Sequence, residues 1–103
     1  VIFVMENRTH FAVLTLEIFI PSSHSLKDKR TVIKSLKAKL RNKFNISVTE
    51  SAYHEKWQRA QIVTAEVSTD KKYLDSSSQK IISFIEYQLT GYGELISQEI
   101  VIQ

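Results

Sequence analysis

Four segments that alternate apolar and polar residues, two longer segments with apolar residues at helical spacing, and their order β-α-β-β-α-β predict an α+β fold. One four-stranded antiparallel sheet with both helices on one face satisfies that order, the ferredoxin-like arrangement. The size fits: 103 residues, 43% apolar and 24% charged, suit one domain with one modest core and exclude a disordered or fibrous chain. The domain is placed at 10–103, after an N-terminal extension over 1–9.

Each element has its own signature. The first strand, 11–20, has Ala12, Leu14, Leu16, Ile18 and Ile20 on one face and ends at Pro21, which has no N–H to give a ladder. Ser25 then caps a helix over 26–44, with Asp28 three residues on as a short-armed capping box. Ile33, Leu36, Leu40 and Phe44 form its apolar stripe, and Asn42 or Asn45 suits a left-handed exit. A second strand begins at Ile46 and Val48, and 53–56 is polar enough for a hairpin loop. In the third strand Val63, Ala65 and Val67 are read as the inward face, packed with Leu14 and Leu16 under Ile33, Leu36, Leu40, Ile81 and Ile85. The second helix carries Leu74, Ser78, Ile81, Ile85 and Leu89 in a stripe. Ser68, Thr69 or Ser76 is its expected start and Gly91 its C-terminal cap. The last strand, 94–102, puts Ile96, Ile100 and Ile102 on one side.

Several function classes fall away. The chain has no cysteine, which removes disulfides, thiolate metal sites and cysteine nucleophiles. The apolar run 1–5 is too short for a secretory core or a membrane span, so a cytoplasmic protein is expected. The only methionine is Met5, which leaves two starts, Val1 or Met5. His54 and Glu55 begin a zinc-protease-like run, but Gln58 stands where its second His belongs. Gly91 and Gly93 are the only glycines, so a phosphate loop or a Gly-x-Ser-x-Gly elbow is excluded. The expectation is a non-enzymatic protein with no metal, no cofactor and no small-molecule substrate.

The strongest signal is charge. Residues 26–44 carry a net of +7 from Lys27, Lys29, Arg30, Lys34, Lys37, Lys39, Arg41 and Lys43 against Asp28, while the rest of the chain is net −4. On a helix, Lys27, Arg30, Lys34, Lys37 and Arg41 fall in one stripe roughly 21 Å long. Like charges this close repel, and no acidic residue follows Asp28 to relieve them. The stripe is the candidate phosphate-binding surface, with RNA or the ribosome as partner; the bland alternative is a solvated face.

The open sheet face is expected to carry Phe11, Val13, Thr15, Glu17 and Phe19, with Ile62, Thr64 and Glu66 from the third strand and Leu95, Ser97, Glu99 and Val101 from the fourth. Its third strand shows no outward aromatic, and the carboxylates Glu17, Glu66 and Glu99 would repel phosphates, so it is not the base-stacking platform of an RNA-recognition motif. A half-apolar exposed sheet points instead to a homodimer, with Phe11, Val13, Phe19, Trp57 and Arg59 as candidate interface residues. A dimeric interaction module with no nucleic-acid role is therefore the alternative function.

Ser-Leu-Lys-Asp-Lys-Arg at 25–30, Lys-Phe-Asn-Ile-Ser-Val at 43–48, Glu50, Trp-Gln-Arg-Ala at 57–60, and Val67, Ser68 and Asp70 resemble the YlxP-like family of small bacterial proteins of unknown function. The resemblance runs from about 11 to 85. It implies a ferredoxin-like fold and genes that lie among those for transcription elongation, translation initiation and ribosome maturation, and it brings no catalytic residue or cofactor. Ser51 and Ala52 stand where the family more often has Val-Asp, so no carboxylate role is carried over to them.

Overall fold

A computed structural model describes residues 8–103. The expected extension 1–9 lies, apart from Arg8 and Thr9, outside the described residues. The elements are β1 (His10–Phe19), α1 (Leu26–Lys43), β2 (Ser47–Ala52), β3 (Arg59–Ser68), α2 (Lys71–Leu89) and β4 (Glu94–Ile102). The strands form one antiparallel sheet in the order β2-β3-β1-β4 with both helices on one face, the ferredoxin-like arrangement.

The even residues of β1, Ala12 to Ile18, are buried, and Ile33, Leu36 and Leu40 of α1 and Ile81, Ile85 and Leu89 of α2 close over that sheet face. The inward face of β3, however, is the opposite of the expected one. Leu14 pairs with Thr64, Leu16 with Ile62 and Ile18 with Ala60. Directly opposed residues point to the same side of a sheet, so Ala60, Ile62, Thr64 and Glu66 face the helices. Val63, Ala65 and Val67 lie on the open face, with Val67 69% exposed. Alternation misled because both faces of β3 carry apolar residues and the buried row contains two polar ones. Glu66 is among them, with one carboxylate oxygen unpartnered among the described residues.

A second departure lies in β4. The pairing with β1 shifts register between Glu17 and Ile18, which brings Leu95 opposite Ile18 and onto the core and leaves Ile96 exposed. A β-bulge reverses the side-chain phase beyond it, so Ile96 does not share a side with Ile100 and Ile102.

The caps are partly as expected. Ser25 Oγ accepts from the Asp28 N–H at 3.0 Å, and Asp28 Oδ2 accepts from the His24 N–H at 3.1 Å. The exit of α1 uses no left-handed Asn: Phe44 is extended and its N–H donates to the Leu40 carbonyl. Asp70, not Ser68, Thr69 or Ser76, caps α2, with Oδ1 accepting from Lys72 and Tyr73 N–H groups. Gly91 follows α2 at φ +92°, as its cap role requires. At Gly93 a Cβ would meet the Phe19 carbonyl oxygen at 2.9 Å, so the close approach of β4 to β1 needs glycine there.

Lys29, one of the eight basic residues counted over 26–44, is fully buried. Its Nζ donates to the carbonyls of Tyr53 at 2.7 Å, Arg59 at 3.2 Å and His54 at 3.4 Å, and lies 3.2 Å from Glu50 Oε2. The reason is position: Lys29 precedes Ile33, Leu36 and Leu40 on the same helical stripe, so its stem enters the core. Glu50 follows Val48 at i+2 on β2, so its side chain takes the inward phase.

Leu36→Ala is expected to cost about 2–5 kcal/mol in denaturant melts. Val67→Thr, at a site the alternation alone would bury, should cost less than about 0.5 kcal/mol; equal losses at the two sites would contradict the observed β3 face. Lys29→Met should lose about 3 kcal/mol because it leaves the half-buried Glu50 carboxylate unpaired and the Tyr53, His54 and Arg59 carbonyls without their donor. Adding Glu50→Gln should recover part of that loss, and a double variant no more stable than Lys29→Met would show the pair to be uncoupled.

Candidate functional site

The eight basic side chains of α1 divide into three sets. Lys29 is internal. Lys39 and Lys43 turn toward α2, Lys39 Nζ donating to Gln88 Oε1 at 3.1 Å and Lys43 Nζ lying 5.0 Å over the Phe84 ring. Of the predicted stripe, Arg30, Lys34, Lys37 and Arg41 line one groove of about 460 Å³ with Ile33, Ala38 and Glu50, and Lys27 is exposed one turn before them without joining its wall. The groove lies between α1 and β2, and Arg41 Nη2 donates to the Val48 carbonyl across it at 2.9 Å.

The electrostatics of this groove follow from the buried pair. Glu50 is the only carboxylate on its wall, and Glu50 is already paired with Lys29. Among the described residues no carboxylate forms an ion pair with Arg30, Lys34, Lys37 or Arg41. Four cations therefore share one wall with no neutralising partner. The helix backbone holds them in register, so an extended polyanion would meet them with little ordering cost beyond that of the side chains.

The β2–β3 loop forms a second cavity, of about 480 Å³, lined by Phe19, Ser23, His24, Glu55, Lys56, Trp57, Gln58 and Arg59. Its base is fixed at several points. Gln58 Nε2 donates to the Pro21 and Ser23 carbonyls at 3.0 and 3.2 Å, and the Ile20 N–H donates to the Gln58 carbonyl at 2.8 Å. Arg59 donates to Glu17 Oε1 and stacks 4.4 Å from the Tyr53 ring centroid. Tyr53 has φ +63°, the only described non-glycine residue with positive φ, and the Lys56 N–H returns to its carbonyl. Trp57 stands 55% exposed beside this tied loop.

The candidate interface residues do not form one surface. Phe11 and Val13 lie at one end of the open sheet face, next to Val67, Ala65 and Val101. Phe19 and Arg59 pair at the other end of β1, roughly 27 Å from Phe11 at the rise of a strand, and Trp57 lies in the loop beyond. Glu66 is inward and Glu94, opposite Phe19, is outward, so the three carboxylates of the open face are Glu17, Glu94 and Glu99. Its β3 row, Arg59 to Val67, has no aromatic residue, while the β1 row beside it carries Phe11 and Phe19 at its two ends.

Sequence reading missed Glu50 and Tyr53 as partners of Lys29, although the phase of Lys29 on the apolar stripe is a legible signal. His54 is exposed, and its Nε2 lies 3.1 Å from the Glu50 carbonyl. Among the described residues no three His, Asp or Glu side chains converge as a metal site would require. Also among them, no helix is long and apolar enough to cross a membrane.

The chain is 36% identical over 70 residues to the uncharacterized protein YlxP of Bacillus subtilis (strain 168), covering 68% of this chain and 76% of that protein. Residues 11–99 match the family described as "Protein of unknown function (DUF503)". The chain belongs to the DUF503 family, as the YlxP-like motifs at 25–30 and 57–60 imply.

Proposed function

We propose that this chain is a non-enzymatic, cytoplasmic accessory protein that binds RNA, free or in the ribosome, through the phosphates it meets along α1. The observation that carries the reading is the groove wall of Arg30, Lys34, Lys37 and Arg41, whose one carboxylate is already paired with Lys29. Phosphate contacts position a protein without reading base identity, so weak sequence preference is expected from this wall.

With about four phosphates neutralised, log K should fall against log salt with a slope of about −3 to −4 in anisotropy titrations of labelled RNA. Lys34→Glu with Lys37→Glu should flatten the slope by about two phosphates' worth while leaving the thermal midpoint nearly unchanged. A double variant that keeps the wild-type slope would reduce the stripe to a solvated face.

A second reading has its own observation. The pairing of β3 brings Val63, Ala65 and Val67 beside Phe11, Val13 and Val101 on the open side of the sheet. That apolar patch favours a homodimer formed face to face. Sedimentation at tens of micromolar should then show two copies, and Val67→Glu should leave a folded monomer. A monomeric wild type under those conditions would exclude it.

A further inference from the structure

We infer that the cavity beside Trp57 is a stacking subsite for one unpaired nucleobase, so that the nucleic acid bound along α1 is single-stranded at this point. The inference rests on the RNA reading of α1 and adds a part that the basic groove cannot supply. A helix studded with cations holds phosphates of any polyanion; its groove has no aromatic ring on which a base can stack.

The cavity offers the complementary chemistry. Arg59 is paired with Glu17, and Lys56 is opposed on the rim by Glu55, so the cavity has little net charge to hold a bare phosphate. What it presents is a flat aromatic surface and a hydrogen-bonding rim. Trp57 has more than half its surface exposed, so its indole is available to a ligand in this cavity. Gln58 has its amide nitrogen engaged by the Pro21 and Ser23 carbonyls, which leaves its Oε1 to accept. The exposed ring of His24 lines the same cavity. A planar ring with donors and acceptors on its edge is the ligand class that fits, and base–indole stacking is tolerant of sequence.

The loop is also held as a stacking platform requires. Lys29 Nζ binds the carbonyls of Tyr53, His54 and Arg59 on both sides of Trp57, and Gln58 fastens the same loop to the β1–α1 connection. The indole is therefore mounted on backbone fixed to the first turns of α1, next to the start of the basic stripe. Phosphate wall and stacking surface belong to one rigid unit.

Trp57 is the only tryptophan of the chain, so its fluorescence reports on this cavity alone. The experiment titrates the full chain with a short oligouridylate and with inorganic polyphosphate of matched charge, and titrates the Lys34→Glu/Lys37→Glu variant with adenosine, which has no phosphate. Oligouridylate should quench Trp57 saturably, polyphosphate should bind with little quenching, and adenosine should quench the charge-reversed variant as it does the wild type. Trp57→Ala should weaken oligouridylate binding about 5- to 150-fold and leave polyphosphate binding unchanged, with Trp57→Phe intermediate. Equal oligouridylate affinity for Trp57→Ala and wild type would overturn the subsite while leaving the α1 reading in place. Failure of wild type to bind polyphosphate or RNA would remove the α1 reading, and absence of adenosine quenching would then remove the subsite separately.

Discussion

The structure depends on one buried ammonium. Removing a lysine head group from water costs several kcal/mol unless charge and hydrogen bonds replace the lost hydration. At Lys29 three backbone carbonyls and the Glu50 carboxylate do so. The three carbonyls come from the two ends of the β2–β3 loop, so the positive charge ties that loop to the start of α1. It also engages the one carboxylate that would otherwise neutralise the groove beside it. The same contact thus shapes the loop that carries Trp57 and leaves the outer cations of α1 unpaired.

Much of this fold was legible because its signals are local. A strand with five even apolar positions before a proline, a Ser-x-x-Asp cap, and a glycine where a helix must turn left-handed are each decided by the residues themselves. The errors have a common origin in partners distant in sequence. The β3 face is chosen by its register with β1, which buries Thr64 and Glu66 and exposes Val67. The phase of Ile96 is set by a bulge, whose trace in the sequence is two adjacent apolar residues, Leu95 and Ile96, that do not say which of them faces the core. Asp70 was passed over as a cap because two serines and a threonine nearby had equal claim by residue type.

The candidate site was legible as charge but not as arrangement. Helical spacing alone aligns Arg30, Lys34, Lys37 and Arg41, and they do share a wall. Spacing could not show that β2 forms the opposite bank, nor that Arg41 reaches its Val48 carbonyl. The Glu50 carbonyl, two residues on, is likewise met by the His54 ring. An edge strand presents unpaired backbone groups to other chains, and side chains laid on its carbonyls blunt that tendency. The basic bank therefore has a second physical role, in guarding the edge it faces.

The burial of Lys29 also gives its amine a chemistry unlike that of its neighbours. Lys27 and Lys34 stand in solvent, open to any acylating reagent or enzyme, while Lys29 has no accessible surface in the folded chain. Its nitrogen becomes reactive only when the loop detaches or the whole domain opens, so its rate of acylation measures the population of that opened state. An acyl group placed on it in the opened chain would abolish the charge that Glu50 requires and obstruct refolding.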